Sequence, residues 1–302
     1  MKKLILFCFI SFLGTAISQA QNLKPYTIGA ETTGSISEVA NKVKEKLKEN
    51  GFSVLGEYQP AEDNNRWAIA ITSSDLKSAV QKIGGFTGFA LALRVGITKE
   101  EDKVIVSYTT PEYWGNAYFR NDYSKVESLY AAFSSKLKAA LSSLGTDGGT
   151  AFGSKDGHSI DKLRKYHYMF AMPYFDDNIE LNEFKTYEAA IAKIDDNLSK
   201  GVTNLKKVYS IELPGQKIKL YGIGVSGENG EASFLSKIDV ATPKSTPFLP
   251  YEMLVLKNKV YMLHGRFRIA LSFPDLKLGQ FMKISSTPKD IKNLLKKATE
   301  AK

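Results

Sequence analysis

Residues 246–276 hold the densest apolar sequence of the chain and its ordered cluster of cations. Two apolar runs there are separated by a polar triplet, residues 257–259, as in two strands joined by a tight turn. In the second run the odd-numbered positions are apolar or glycine, whereas His264, Arg266 and Arg268 hold even-numbered positions. This period of two predicts a strand with one buried face and with the three cationic side chains on its other face.

The first half of the chain begins with an amphipathic helix. Ser35 and Glu38 have the spacing of a capping box, so we expect the helix to begin there and to end at Gly51. The other predicted elements are strands at 52–58 and 67–72, a helix at 75–83, a hairpin of 89–97 and 104–108, and a helix at 123–144.

The same order of elements recurs in the second half. The helix caps Ser35 and Thr186 lie 151 residues apart, and the glycines that end these helices, Gly51 and Gly201, lie 150 apart. After the second of these helices we expect strands at 207–213 and 218–225, the hairpin described above, and a last helix from residue 287. The recurrence therefore predicts two copies of one structural unit.

Residues 145–159 contain five glycines and few apolar side chains, which is typical of a flexible linker. The sequence thus predicts an α+β protein of two tandem repeats, each an antiparallel sheet covered by helices. The first α+β domain would span residues 21–144, and the second would span residues 160–302.

The order of elements in residues 27–111 resembles the bacterial domain of unknown function 302. The resemblance includes a helix, a glycine stop, a strand beginning Gly51-Phe52-Ser53-Val54, a second strand, a helix and the hairpin of residues 90–108. Residues 183–274 resemble it less closely, so the chain is similar to a tandem duplication of that domain. The Gly-Asn-Pro loop that usually follows the family's second strand is absent from both parts. The resemblance implies small α+β domains and carries no established activity.

The first twenty residues have the pattern of a signal peptide. Two lysines precede an apolar run at residues 4–12, and the small residues Ser18 and Ala20 stand where a signal peptidase cleaves. We therefore expect a signal peptide over residues 1–20 and a protein exported to the periplasm or the extracellular space. Cys8 is the only cysteine of the chain, so the processed protein would hold no disulfide.

Basic residues are concentrated in the second half. The formal net charge is +9, and residues 161–302 hold 23 basic and 16 acidic side chains, whereas residues 21–160 hold 16 of each. An anionic small molecule, a polysaccharide or a lipid surface would suit this charge, and a solvated surface without a partner would also explain it. Export and the absence of an arginine-rich tract argue against nucleic acid.

Two groups of side chains are candidates for binding. On the predicted strand His264, Arg266 and Arg268 would stand about 6.5–7 Å apart on one face, where one anionic group could bridge two of them. The alternative is that the arginines pair within the protein, with Asp275 or Glu252. The second group is His167, Met169 and Met172, whose imidazole and thioethers suit Cu(I); the alternative is an aromatic strand packed on the core.

The sequence assembles no catalytic motif. It has no Gly-x-Ser-x-Gly elbow, no cysteine after Cys8 and three histidines, and we name no catalytic residue and no cofactor. We therefore expect an exported, non-enzymatic binding or interaction protein of the bacterial cell envelope. The alternative is a hydrolase acting on an envelope polymer, with His264 or a pair of carboxylates as its acid and base.

Overall fold

The structure is a computed structural model that describes residues 22–167 and 174–300. The predicted signal peptide lies outside the described residues. No helix in the described part of the chain is long and apolar enough to cross a membrane.

The first half forms a six-stranded antiparallel sheet in the order β2-β3-β4-β5-β1-β6. Its strands are β1 (Tyr26–Thr32), β2 (Ser53–Tyr58), β3 (Arg66–Thr72), β4 (Leu93–Glu100), β5 (Lys103–Thr109) and β6 (Ala151–Phe152). Its helices are α1 (Ile36–Glu49), α2 (Ser74–Ile83), α3 (Pro111–Phe119) and α4 (Glu127–Ser142).

The second half forms a five-stranded antiparallel sheet in the order β7-β11-β10-β9-β8. Its strands are β7 (Ile179–Glu183), β8 (Leu205–Leu213), β9 (Ile218–Val225), β10 (Tyr251–Leu256) and β11 (Lys259–Met262). Its helices are α5 (Ile160–Arg164), α6 (Tyr187–Ser199), α7 (Glu231–Ile238), α8 (Gly265–Ser272), α9 (Leu278–Met282) and α10 (Thr287–Lys297).

The two sheets have the same topology. Strands β2-β3-β4-β5-β1 of the first sheet correspond to β8-β9-β10-β11-β7 of the second, and the helices between them fall at the same places in the chain. The predicted fold class is confirmed: an α+β protein of two parts, each an antiparallel sheet with helices.

The predicted amphipathic helix at the start of the first half is confirmed as α1. The side chains of Ser35 and Glu38 form the reciprocal capping box at the start of α1, and Gly51 follows its end at φ +81°, where a side chain would be strained. Val39, Val43 and Leu47 form the buried face of α1.

The predicted long strand that carries His264, Arg266 and Arg268 is wrong. Strand β11 ends at Met262, and the helix α8 follows. Every residue of α8 except Arg266 is buried. The helix therefore lacks a polar face, and its sequence does not show the helical period of 3.6 residues. Helix α3, at the equivalent place in the first half, is also buried on nearly all sides and was likewise missed in the sequence.

The glycine-rich residues 145–159 are not a free connection. They run along β1, where Thr146 and Glu31 exchange two backbone hydrogen bonds and residues 151–152 add the edge strand β6. A Cβ atom on Gly145 would lie 2.0 Å from the carbonyl oxygen of Glu31. Glycine is therefore required here for close backbone contact, and the division of the chain into two domains at this segment stays a prediction.

Each of the two hydrophobic cores contains residues of both halves. The 3-10 segment Gly85–Leu91, which precedes β4, packs on β9 and β10, and the equivalent segment Thr246–Phe248, which precedes β10, packs on β3, β4 and β5. A Cβ atom on Gly96 of β4 would lie 2.7 Å from Cδ of Pro247. Strand β4 therefore needs a glycine where the segment Thr246–Phe248 packs on it.

Candidate functional site: a cleft at the junction of the two halves

A buried ion pair lies at the centre of the junction. Nη1 of Arg94 lies 2.7 Å from Oε1 of Glu252, and both side chains are 1% exposed. The same carboxylate oxygen accepts a 2.7 Å hydrogen bond from the hydroxyl of Tyr209, and Nε of Arg94 donates to the carbonyl of Pro247. Burial opposes the charge of Arg94, but the Glu252 carboxylate, together with Tyr118 and Tyr209, outweighs it, so the pKa of Arg94 is raised.

A second buried carboxylate joins the halves at Glu231. Its Oε1 accepts hydrogen bonds from the hydroxyl of Tyr58 and the amide of Val225, and its Oε2 accepts from the amide of Ala61. Burial raises the pKa of Glu231 to about 7 although these three donors favour the ionised form. Both buried carboxylates of the junction, Glu252 and Glu231, therefore accept hydrogen bonds from the protein.

At one edge of the junction an open cleft of about 360 Å³ lies between the halves. One wall comes from Lys24, β6 and Ser154, and the other comes from the loop after α7 and from residues 273–280. Phe152, Ile238, Phe273 and Leu276 give the cleft an apolar floor. Its size and mixed lining are typical of a site for a small molecule.

The two acidic residues of the cleft are held by hydrogen bonds from the protein. Asp239 is buried and receives hydrogen bonds from the amide of Ser245 and from Nη1 of Arg66. Asp275 is exposed, and it receives 2.8 Å and 2.6 Å hydrogen bonds from the hydroxyl of Ser154 and the amide of Lys155. Asp275 therefore connects the two walls and presents a carboxylate of fixed orientation to the cleft.

The structure does not bring the three predicted anion-binding residues together. Residues two apart on a helix point in different directions, and Arg266 is exposed whereas Arg268 is 3% exposed. His264 is the half-buried N-cap residue of α8. Its pKa is lowered by burial and then by the nearby Arg266, and Asp177 opposes this shift. Whether Arg266 or His264 binds an anion stays a prediction.

Arg268 is part of the core. Its Nη2 donates hydrogen bonds of 2.7 Å and 2.6 Å to the carbonyls of Phe248 and Pro250. The guanidinium carbon lies 4.3 Å and 4.2 Å from the ring centroids of Phe248 and Tyr251. The suggested internal partners are engaged elsewhere, since Glu252 binds Arg94 and Asp275 binds Ser154 and Lys155.

The copper prediction falls largely outside the described residues. Met169 and Met172 lie there, whereas His167 is described and its ring packs edge-on against Tyr174 at 5.2 Å between centroids. Within residues 22–167 and 174–300, no group of three His, Cys, Asp or Glu side chains is placed to hold a metal ion. The copper site stays a prediction.

His158 is a buried residue that the sequence did not single out. Its ring lies between those of Tyr113 and Tyr166, with centroid distances of 6.2 Å and 5.5 Å. Burial, and then Lys162, lowers the pKa of His158 to about 4, while the backbone of Gly157 and then Asp275 oppose the shift. Its place directly after Gly157, at the end of the glycine-rich residues 145–159, gives no sign of burial in the sequence.

Comparisons with known proteins add little to this site. No protein-family model matches the chain, and no curated protein matches it. The chain is similar to a solved structure, the crystal structure of uncharacterized conserved protein DUF302 from Bacillus stearothermophilus, with 16% sequence identity and a TM-score of 0.36. That match covers 39% of this chain and 97% of the other.

Proposed function

We propose that this protein is an exported, non-enzymatic binding protein of the cell envelope that holds a small ligand in the junction cleft. The observation that carries the proposal is the cleft itself, which is formed by both halves, has an apolar floor and is bordered by hydrogen-bonding side chains. The export part of the proposal rests on the signal-peptide pattern of residues 1–20.

The state of the ionisable groups favours binding over hydrolysis. An acid–base pair needs two groups that are free to exchange protons with a substrate, but Asp239 and Asp275 each accept hydrogen bonds from the protein. His264 does not line the cleft, and no carboxylate in the described part of the chain is hydrogen-bonded to it.

The lining also indicates the class of ligand. The apolar floor, with Phe152 and Phe273, suits an apolar body, and Lys24 and Asp275 offer one cation and one carboxylate at the rim. We infer an amphipathic molecule that carries a hydroxyl, amine or acidic group at one end, with Lys24 as the partner of an acidic group.

We also infer that the two halves arose by tandem duplication of a domain similar to domain of unknown function 302. The shared strand order and the 151-residue spacing of the helix caps Ser35 and Thr186 support this origin.

Native mass spectrometry of the protein purified from its own envelope tests the binding proposal. The wild type should carry a bound molecule, and Ala151→Trp should lose it, because residue 151 is exposed and lines the cleft. Ala131→Trp places the same side chain on an exposed position of α4 outside the cleft and should retain it. Equal retention by both variants would contradict the proposal, and a mature chain that begins before Gln21 would contradict the signal-peptide assignment.

A further inference from the structure

Three apolar side chains near the cleft are exposed far more than such residues usually are. Among the described large hydrophobic residues, Leu278, Met282 and Val240 have the greatest exposure, at 65%, 62% and 60%. Leu278 and Met282 stand four residues apart on α9 and so share one face of it. Val240 follows α7, which packs against α9, and it lines the cleft together with Gln280 of α9.

We call the surface formed by Leu278 and Met282 the α9 rim. None of the five residues of α9 is buried, so this helix lies on the surface of the molecule and contacts the core through the half-buried Phe281. An exposed group of large apolar side chains is costly in water and marks a surface that is covered by something else.

Cations surround the α9 rim. Lys277 and Lys283 flank α9, and Lys237 lies on the last turn of α7; all three are exposed, and none forms an ion pair with a described residue. The chain from residue 277 to residue 300 holds six lysines and two acidic residues. The acidic neighbour Asp275 is hydrogen-bonded to Ser154 and Lys155 on the opposite wall.

We propose that the α9 rim docks the protein on an anionic lipid bilayer. Leu278 and Met282 enter the boundary between head groups and acyl chains, and the flanking lysines lie at the level of the lipid phosphates. A lipid surface fits better than a protein partner, because two exposed apolar side chains on a five-residue helix are too few for the core of a stable protein interface, whereas a bilayer needs no matching shape. The proposal does not depend on the cleft holding a ligand.

The test is co-sedimentation of the protein with lipid vesicles, using the processed chain from Gln21 because an apolar leader would itself bind lipid. Vesicles of phosphatidylcholine with phosphatidylglycerol should bind the wild type, and vesicles of phosphatidylcholine alone should not. Binding should weaken as salt rises, since the attraction to the anionic surface is screened.

Variants separate the charge from the apolar contribution. Lys277→Glu with Lys283→Glu should weaken binding by at least about thirtyfold, because two lysines near the surface provide that much attraction and the two glutamates add repulsion. Lys42→Glu with Lys138→Glu makes the same change of net charge on exposed, unpaired lysines of α1 and α4 and should leave most of the binding intact. Leu278→Ser with Met282→Ser should weaken binding at least tenfold without a loss of stability, because both side chains are exposed.

Leu278→Trp supplies a direct reporter, whose fluorescence should shift to the blue on anionic vesicles. Equal binding to both kinds of vesicle, or binding unaffected by the rim variants, would overturn the proposal. Self-association of the wild type that Leu278→Ser abolishes would overturn it in favour of a second copy of this chain. Ala151→Trp should bind vesicles as the wild type does, so failure of the cleft proposal and failure of this one can be told apart.

Discussion

Arg94 and Glu252 hold the same position in equivalent strands, the second residue of β4 and the second residue of β10, and they bind each other at 2.7 Å across the junction. The two halves are therefore joined by a pair of opposite charges at matching places. Because both side chains are buried, each leaves an uncompensated charge when the other is removed.

The first prediction concerns this pair. Arg94→Met should lower the free energy of unfolding by about 3–5 kcal/mol, because it leaves the Glu252 carboxylate buried without its cation. The double variant Arg94→Met with Glu252→Gln should recover part of that loss. The glutamine side chain carries no charge, and its amide oxygen can still accept the hydrogen bond from the hydroxyl of Tyr209. Urea unfolding of the single and double variants measures the coupling; strictly additive losses would mean that the pair contributes nothing as a pair.

The second prediction contrasts two arginines that stand two residues apart. Arg268→Ala should lower the free energy of unfolding by about 3 kcal/mol, because it removes two buried hydrogen bonds and leaves a cavity between Phe248 and Tyr251. Arg266→Ala is the matched control and should change it by less than about 0.5 kcal/mol, since Arg266 is exposed. Thermal unfolding of both variants measures the two changes in stability. If Arg268→Ala destabilised the protein as little as Arg266→Ala does, the buried position of Arg268 would be contradicted.

The third prediction is a dependence of stability on pH through His158. Its pKa is about 4 in the folded protein and near 6.5 in an unfolded chain. Between these values the unfolded chain binds a proton at this residue that the folded protein does not, so the free energy of unfolding should fall as the pH falls from 6.5 to 4.

His158→Phe isolates that effect. Phenylalanine keeps the ring between Tyr113 and Tyr166, and of the polar interactions of the imidazole it removes the contact with the backbone of Gly157. The variant should show a shallower loss of stability in this pH range, measured by urea unfolding at several pH values. An unchanged slope would show that other groups cause the acid sensitivity.

The fourth prediction concerns the cooperativity of the two halves. Each of the two hydrophobic cores contains residues of both halves, and the 3-10 segments Gly85–Leu91 and Thr246–Phe248 each pack on the sheet of the other half. A chain cut within residues 145–159 should therefore stay associated and unfold in a single transition. Limited proteolysis followed by size-exclusion chromatography checks this. Two separate, folded fragments would instead make the halves independent domains.

The sequence predicted the elements whose pattern is local. Helix α1 was predicted with its cap and its buried face, because Ser35, Glu38 and Gly51 fix its ends and one face is polar. Helices α3 and α8 were missed for the opposite reason: both are buried on nearly all sides, so the apolar positions of α8 also fitted an alternating strand.

The candidate site could not be predicted from local pattern. The partners Arg94 and Glu252 are 158 residues apart, and the cleft draws its walls from separated segments that only the packing of the halves brings together. Arg268 looked available for a ligand because its neighbours in sequence alternate, yet its partners are backbone carbonyls of Phe248 and Pro250, which carry no sequence signal.

An experimental structure of the protein isolated with its copurified molecule tests the cleft as the binding site most directly. A ligand in the cleft should lie between β6 and the residues before α9, with its apolar part on Phe273 and its polar end within hydrogen-bonding distance of Asp275 or Lys24. A copurified molecule bound at another place, with the cleft holding only water, would contradict the proposed function.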